Sequence, residues 1–192
     1  ILYSELLESC DIKKYEIIFI NDCSEDSSGL EILKITNSNS NAKIINLEKR
    51  SGQSFAIYTG IKLAKYSTII TIDCDLQNDP RDINKLISIF DENQYGLVGG
   101  IRKFRKDSLL KIISSKLANN IRSFILKDGC KDTGCSLKVF KKDIFLQFPY
   151  FDGMHRFIPA LFKGYNEILF FQNVNHRSRV YGKSKYGVSN RL

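Results

Sequence analysis

The sequence is short of long apolar runs. None approaches the roughly 18 residues a membrane-spanning helix needs, and nothing at its start reads as a secretory signal. Cysteine is sparse and irregularly placed, at Cys10, Cys23, Cys74, Cys130 and Cys135. An odd, irregular set excludes a disulfide framework and fits a reducing compartment. Cys130 and Cys135 lack C-x-x-C spacing and a second ligand pair, which sets a zinc site aside. The two histidines, His155 and His176, have no Ser or Cys nucleophile placed with them, so triad chemistry has no support. The G-x-x-x-x-G-K loop is missing, which argues against a kinase or ATPase of that type. There is no internal repeat, and the Asn/Ser tract at 37–41 is too brief for a linker between domains.

What is present is an ordinary globular composition, 192 residues with 43% apolar and 26% charged. A chain of that size buries a real core. One domain over residues 1–192 is expected, with material missing at both ends. Lys plus Arg is 29 and Asp plus Glu is 21, a net charge of +8. The excess suits a polyanionic partner: nucleic acid, an anionic membrane surface or a phosphorylated small molecule. No recognised nucleic-acid-binding motif accompanies it.

The apolar pattern predicts strands over 15–20, 43–47, 68–72 and 96–101, each a short run of the kind buried in a parallel sheet. Helices are predicted over 3–10, 29–36, 51–65 and from Asp79 onward. This alternation is the rhythm of a doubly wound α/β sheet. Further on, the pattern predicts a long helix over 107–126, a strand at 135–140, a helix at 154–163 and strands at 167–171 and 173–176.

Three strand-to-helix junctions carry candidate chemistry. Asp73-Cys74-Asp75-Leu76-Gln77 leaves the end of the third strand, the edge where ligands sit in open α/β sheets. Alternation puts Asp73 and Asp75 on one side. Two carboxylates and an amide oxygen suit Mg²⁺ or Mn²⁺ carrying a diphosphate. The plainer reading is a turn and cap, and Asp79 before Pro80 reads as a helix N-cap. At the first junction, Asp22 can accept a hydrogen bond from a base or ribose, against a plain cap by Ser24 or Asp26. At the second, Arg50-Ser51-Gly52-Gln53 offers backbone N–H groups to an anion, or is simply a capped turn. The middle of the chain is basic: residues 102–142 hold 12 Lys or Arg against 3 Asp. Most of these are solvated, and a minority suit a phosphate or anionic headgroups.

Together these segments resemble the family 2 glycosyltransferases with the GT-A fold, most closely the polyprenyl-phosphate, dolichyl-phosphate mannose synthase-like branch. EIIFINDCSED resembles that family's strand and D-D-G-S-x-D. TIDCDLQNDP resembles its D-x-D-L-Q-x-x-P. GIRKFRKD, SSKLANNI, DTGCSLKVFKKD and NHRSRVYGKSKYG resemble its acceptor-side and closing segments. The resemblance implies a mostly parallel GT-A sheet flanked by helices, here lacking its first strand. Residues 1–100 would be the nucleotide-sugar-binding half and 101–192 the acceptor-binding half. It implies nucleotide contacts from Asp22, Gln53 and Asp73, a catalytic role for Asp73 and Asp75, and metal ligation by Asp75 and Gln77. Arg102 and Lys116 would meet the acceptor phosphate. Arg179, Ser184 and Lys185 would lie on a loop over the diphosphate. The implied reaction is inverting, metal-dependent sugar transfer from a UDP- or GDP-linked donor to a polyprenyl phosphate, at the cytoplasmic face of a membrane and without nucleic acid. Transfer to a saccharide hydroxyl, or an inactive remnant, are the alternatives. Asn21 and Cys23 stand where the family has Asp and Gly, and Lys116 where many relatives have Arg.

Overall fold

The computed structural model describes residues 1–10, 14–103 and 122–178. The elements in order are α1 (Leu2–Ser9), β1 (Ile17–Asn21), α2 (Ser28–Ser38), β2 (Ala42–Asn46), α3 (Gly52–Leu63), β3 (Thr68–Thr71), α4 (Asp82–Asn93) and β4 (Leu97–Arg102). Then come β5 (Lys138–Lys141), α5 (Lys142–Phe145), a 3₁₀ turn (Met154–Arg156), α6 (Ile158–Gly164) and β6 (Leu169–Val174). The α/β alternation expected from the sequence is present up to β4. The long helix over 107–126 falls largely outside the described residues, of which 122–126 are helical.

The strands form two sheets. β1 and β2 pair in parallel, with Ile17 opposite Ala42 and Asn21 opposite Asn46. The second sheet has the order β3-β5-β4-β6. In it β5 runs against both neighbours, while β4 and β6 are parallel, so β3, β4 and β6 share one direction. No strand precedes β1 among the described residues, and β1 and β3 share no ladder.

Alternation along the second sheet builds the core on both faces. Ile69, Leu97 and Phe140 meet Ile61 of α3, Phe145 of α5 and Ile158 and Phe162 of α6 on one face. Val98, Val139 and Val174 meet Ile83, Leu86 and Phe90 of α4 on the other. The three α4 residues are spaced three and four apart, which is one helical stripe. Each such side chain contributes about 1.5–3 kcal/mol when taken fully from water.

Three expectations are corrected. β1 was expected to be buried on both faces, yet only Phe19 is buried and its neighbours are half-exposed; among the described residues β2 is its one ladder partner. The two closing strands are one, β6. Asp79 and Pro80 do not start α4, which begins at Asp82. Instead Asp79 forms a tight turn, accepting the Arg81 backbone N–H at 3.1 Å through its side chain and the Asp82 N–H at 3.1 Å through its carbonyl.

Candidate active site

The acidic residues singled out in the sequence lie just past the ends of β1 and β3. Asp22 is the first residue after β1. Its carboxylate is gripped by the start of α3: Ser51 N–H donates to Oδ1 at 2.6 Å and Gly52 N–H to Oδ2 at 3.0 Å. Thus two readings made separately, an acidic residue at one junction and an anion-binding turn at another, meet in one contact. Gly52 makes this possible. Its φ of +84° is a left-handed conformation that side-chain-bearing residues adopt only under strain, and it presents successive N–H groups to one anion. The next residue, Gln53, donates from Nε2 to Asp73 Oδ1 at 3.2 Å. The start of α3 therefore ties the Asp22 loop to the Asp73 loop.

Asp73 follows β3 and is half-buried. Its backbone N–H donates to Ser136 Oγ at 3.0 Å, and Asn78 Nδ2 donates to the same hydroxyl at 2.9 Å. Thr71 Oγ1 donates to the Ser136 carbonyl at 2.6 Å. Burial pushes the Asp73 carboxyl pKa up, and the neighbouring charge of Asp75 adds to this. Ser136, Lys138 and Arg102 oppose the rise. Asp75 Oδ1 accepts the Gln77 backbone N–H at 3.1 Å, closing a tight turn over Leu76. Leu76 has φ +62° and Cys23, beside Asp22, has φ +52°. Both acidic loops thus hold a non-glycine residue in the left-handed region, the kind of local strain that gathers at ligand sites. At position 23 a glycine would adopt this conformation without strain. The Cys23 thiol donates to the Leu47 carbonyl at 3.1 Å.

The donor set fits a hard divalent cation. The repulsion between Asp73 and Asp75 is relieved by a shared cation, and Gln77 adds an amide oxygen. Among the described residues no group of three or more His, Cys, Asp or Glu closes around a metal ion. The rest of a coordination shell then falls to amide, water or ligand oxygens, as suits Mg²⁺ or Mn²⁺.

The loop after Gln77 is fastened by ion pairs. Asp79, with its side chain 3% exposed, meets Arg81 Nη2 at 2.6 Å and Arg177 Nη2 at 2.9 Å. Arg81 in first place, with help from Arg177, holds the Asp79 carboxyl down at about 2. Arg177 also reaches Glu5 at 2.6 Å, and its N–H donates to the Gln77 carbonyl at 2.8 Å. Asn78 forms a bridge with His176. The chain just after β6 is thereby clipped to the acidic loop.

At the end of β4, Arg102 makes a two-pronged contact with Asp132, Nε to Oδ2 at 2.8 Å and Nη2 to Oδ1 at 2.7 Å. Gly134 lies so close that a Cβ there would sit 2.7 Å from Arg102 Nη2. Arg122 Nη2 donates to the buried Asp128 at 2.6 Å and its guanidinium lies 5.7 Å from the Phe157 ring centre. Lys116, Arg179, Ser184 and Lys185 lie outside the described residues. A shallow cavity of about 280 Å³ lined by Lys65, Tyr66 and Lys142 sits at the other end of β3, away from the carboxylates.

Ser54 and Ser136 carry no reading in the sequence, and His155 reads there only as a lone histidine. Ser54 Oγ and His155 Nδ1 are 2.6 Å apart across 101 positions. Nothing local announces such a pair. Ser54 is 1% exposed, which excludes it as a nucleophile toward a bound substrate.

An α/β sheet with acidic loops past its strand ends suits a ligand bound at that edge. Solved structures of glucosyl-3-phosphoglycerate synthase from Mycobacterium tuberculosis share the fold. The complex with Mn²⁺, uridine-diphosphate and glucosyl-3-phosphoglycerate aligns with TM-score 0.69 and 14% identity, over 93% of this chain and 66% of that one. The complex with Mn²⁺, uridine-diphosphate-glucose and phosphoglyceric acid gives 0.67 and 15%, over 93% and 66%. The chain belongs to glycosyl transferase family 2, whose profile matches residues 2–148. It is 37% identical over 180 residues to dodecaprenyl-phosphate galacturonate synthase of Rhizobium johnstonii, covering 92% of this chain and 53% of that protein. It is 32% identical over 193 residues to undecaprenyl-phosphate 4-deoxy-4-formamido-L-arabinose transferase of Edwardsiella ictaluri, covering 96% and 59%. The chain thus spans somewhat over half the length of these curated relatives. No described helix is long and apolar enough to cross a membrane.

Proposed function

We propose that this chain is the catalytic part of a glycosyltransferase that moves a sugar, with inversion, from a nucleotide diphosphate to a polyprenyl phosphate. The observation that carries the reading is the acidic edge, where the first turn of α3 joins Asp22 to Asp73 and the Asp75-Gln77 turn follows, in a chain 37% identical to a polyprenyl-phosphate sugar transferase. Residues 1–100 form the donor half. Asp22, Gln53 and Asp73 serve the nucleotide, and Asp75 and Gln77 hold the divalent ion. When bound, Mg²⁺ or Mn²⁺ supplies Lewis-acid stabilisation of the departing diphosphate. Residues 101–192 form the acceptor half, where Arg102, kept in place by Asp132, and Lys116 meet the lipid phosphate. Arg179, Ser184 and Lys185 cover the diphosphate.

The attacking group needs no side-chain base. A phosphate monoester has a second pKa of about 6, so it is largely dianionic at neutral pH. The cationic acceptor side offsets repulsion between this dianion and the donor diphosphate. The same basic character suits an anionic membrane surface on the cytoplasmic side. A transfer assay on the full-length gene product, offering undecaprenyl phosphate or a soluble saccharide with UDP-sugars, tests this. Labelled sugar in the lipid phosphate is expected. Labelled saccharide with an unlabelled lipid would overturn the acceptor assignment.

A further inference from the structure

Four consecutive residues at the start of α3 reach three segments far apart in the chain. Ser51 and Gly52 hold Asp22, Gln53 holds Asp73, and Ser54 meets His155. We propose that His155 is a positioning residue for the donor side of the site: by holding Ser54 it fixes the first turn of α3, and through that turn it sets the placement of Asp22 relative to Asp73. This rests on the donor reading above.

The support comes from where each partner is anchored. In α3 only Ser54 and Ile61 are buried, and the turn residues beside Ser54 are half-buried or exposed. Ser54 is the buried residue of the first turn, while Ile57 and Tyr58, one turn further on, pack against the same apolar cluster. His155 stands between Met154 at 1% exposure and Ile158 at 2%, both in the apolar cluster that also contains Ile61. The histidine backbone is set by the core and its ring extends to the turn. The contact is doubled, since the His155 backbone N–H donates to Ser54 Oγ at 3.4 Å. The Ser54 oxygen keeps a second lone pair, so it pairs with Nδ1 in either neutral tautomer of the ring. Burial first, then Arg156 and Lys138, lower the ring pKa to about 4, while Asp152 works the other way. The ring is therefore neutral through the neutral range, and the tie does not switch between pH 5 and 8.

A hydrogen bond that only stabilised α3 would change the melting temperature and leave ligand affinity alone in folded protein. A positioning tie changes affinity, and it is rescued by a side chain that restores the hydrogen bond to Ser54. Calorimetry with UDP and Mn²⁺ added together, well below the melting temperature, separates the two. Ser54→Ala and His155→Leu are each expected to weaken binding by about tenfold, the usual scale for residues that orient ligand-holding groups. The double variant should also lose about tenfold, because both changes remove one interaction. His155→Asn, whose amide oxygen lies near the place of Nδ1, should bind within about threefold of wild type, since single-contact effects restored this way largely cancel. Nitrogen-15 spectra of wild type should show one neutral tautomer at His155, and Ser54→Ala should disturb it. Should His155→Leu fail to fold, loss in Ser54→Ala with retention in His155→Asn supports the tie, and any other pattern overturns it. Wild-type affinity in Ser54→Ala, or losses that multiply in the double variant, would overturn the positioning role and leave the donor reading standing. A wild-type protein that binds neither UDP nor GDP with Mn²⁺ would overturn the donor reading and this inference together.

Discussion

The two sheets differ in how firmly they hold their share of the site. β3-β5-β4-β6 is packed on both faces, with Leu97, Val98, Val139 and Phe140 at 0% exposure. β1-β2 buries only Phe19 and Ala42. Yet the site draws on both, Asp73 and Asp75 from the first and Asp22 from the second. The difference teaches that the softer sheet does not set the position of Asp22 by its own packing. The backbone N–H groups of Ser51 and Gly52 do so, and they belong to a turn tied in turn to the firmer side through Gln53 and Ser54.

Mutations can sharpen this contrast. Phe140→Ala should cost about 3–5 kcal/mol in chemical unfolding, the usual range for deleting a fully packed aromatic. Ile45→Ala on half-buried β2 should cost about 1 kcal/mol, since much of that side chain already meets water. Equal costs would show that the two sheets are equally well packed and remove the contrast.

Asp79 tests the fastening of the firm side. Asp79→Ala should cost about 2–3 kcal/mol, because it strips Arg177 and Arg81 of a nearly buried partner. Its folded pKa, about 2, lies below the ordinary carboxylate value. The native state therefore binds fewer protons there than the unfolded chain, and the stabilisation is present above about pH 4 and lost as pH falls toward 2. Wild type should lose stability across that window, and Asp79→Ala should lose less.

His155 gives a parallel effect at higher pH. Its folded pKa is about 4, below the ordinary value of about 6.5. The unfolded chain therefore takes up the proton first, and native stability falls as pH drops from 6.5 to 4. The slope over that range should flatten in His155→Asn in thermal unfolding at a series of pH values. The smallest effect is on the soft side: Cys23→Gly should stabilise by about 0.5–1 kcal/mol, because glycine accepts φ +52° without strain. A loss there instead would show that the thiol contact to Leu47 outweighs the backbone strain.

Much of the fold was legible because its signals are local. The apolar runs before Asp22 and Asp73 and the stripe of Ile83, Leu86 and Phe90 each sit within a few residues. The antiparallel insertion of β5 between β3 and β4 was not legible, because a four-residue strand carries no mark of its neighbours. At the site, Asp22, Asp73, Asp75 and the Ser51-Gly52 turn were readable as strand-end chemistry. That the turn's anion is Asp22 itself was not, since the contact joins positions 29 and 30 residues apart. His155, read as a lone histidine, acquires its partner only through folding.

The central claim is that Asp75 and its neighbours bind a divalent cation jointly with a nucleotide diphosphate. Mn²⁺ titration followed by electron paramagnetic resonance, with and without UDP, tests it most directly. UDP should tighten Mn²⁺ binding by at least about tenfold, and Asp75→Ala should erase that coupling, as expected when ion and ligand share oxygen donors. Mn²⁺ binding indifferent to both UDP and Asp75→Ala would contradict the account.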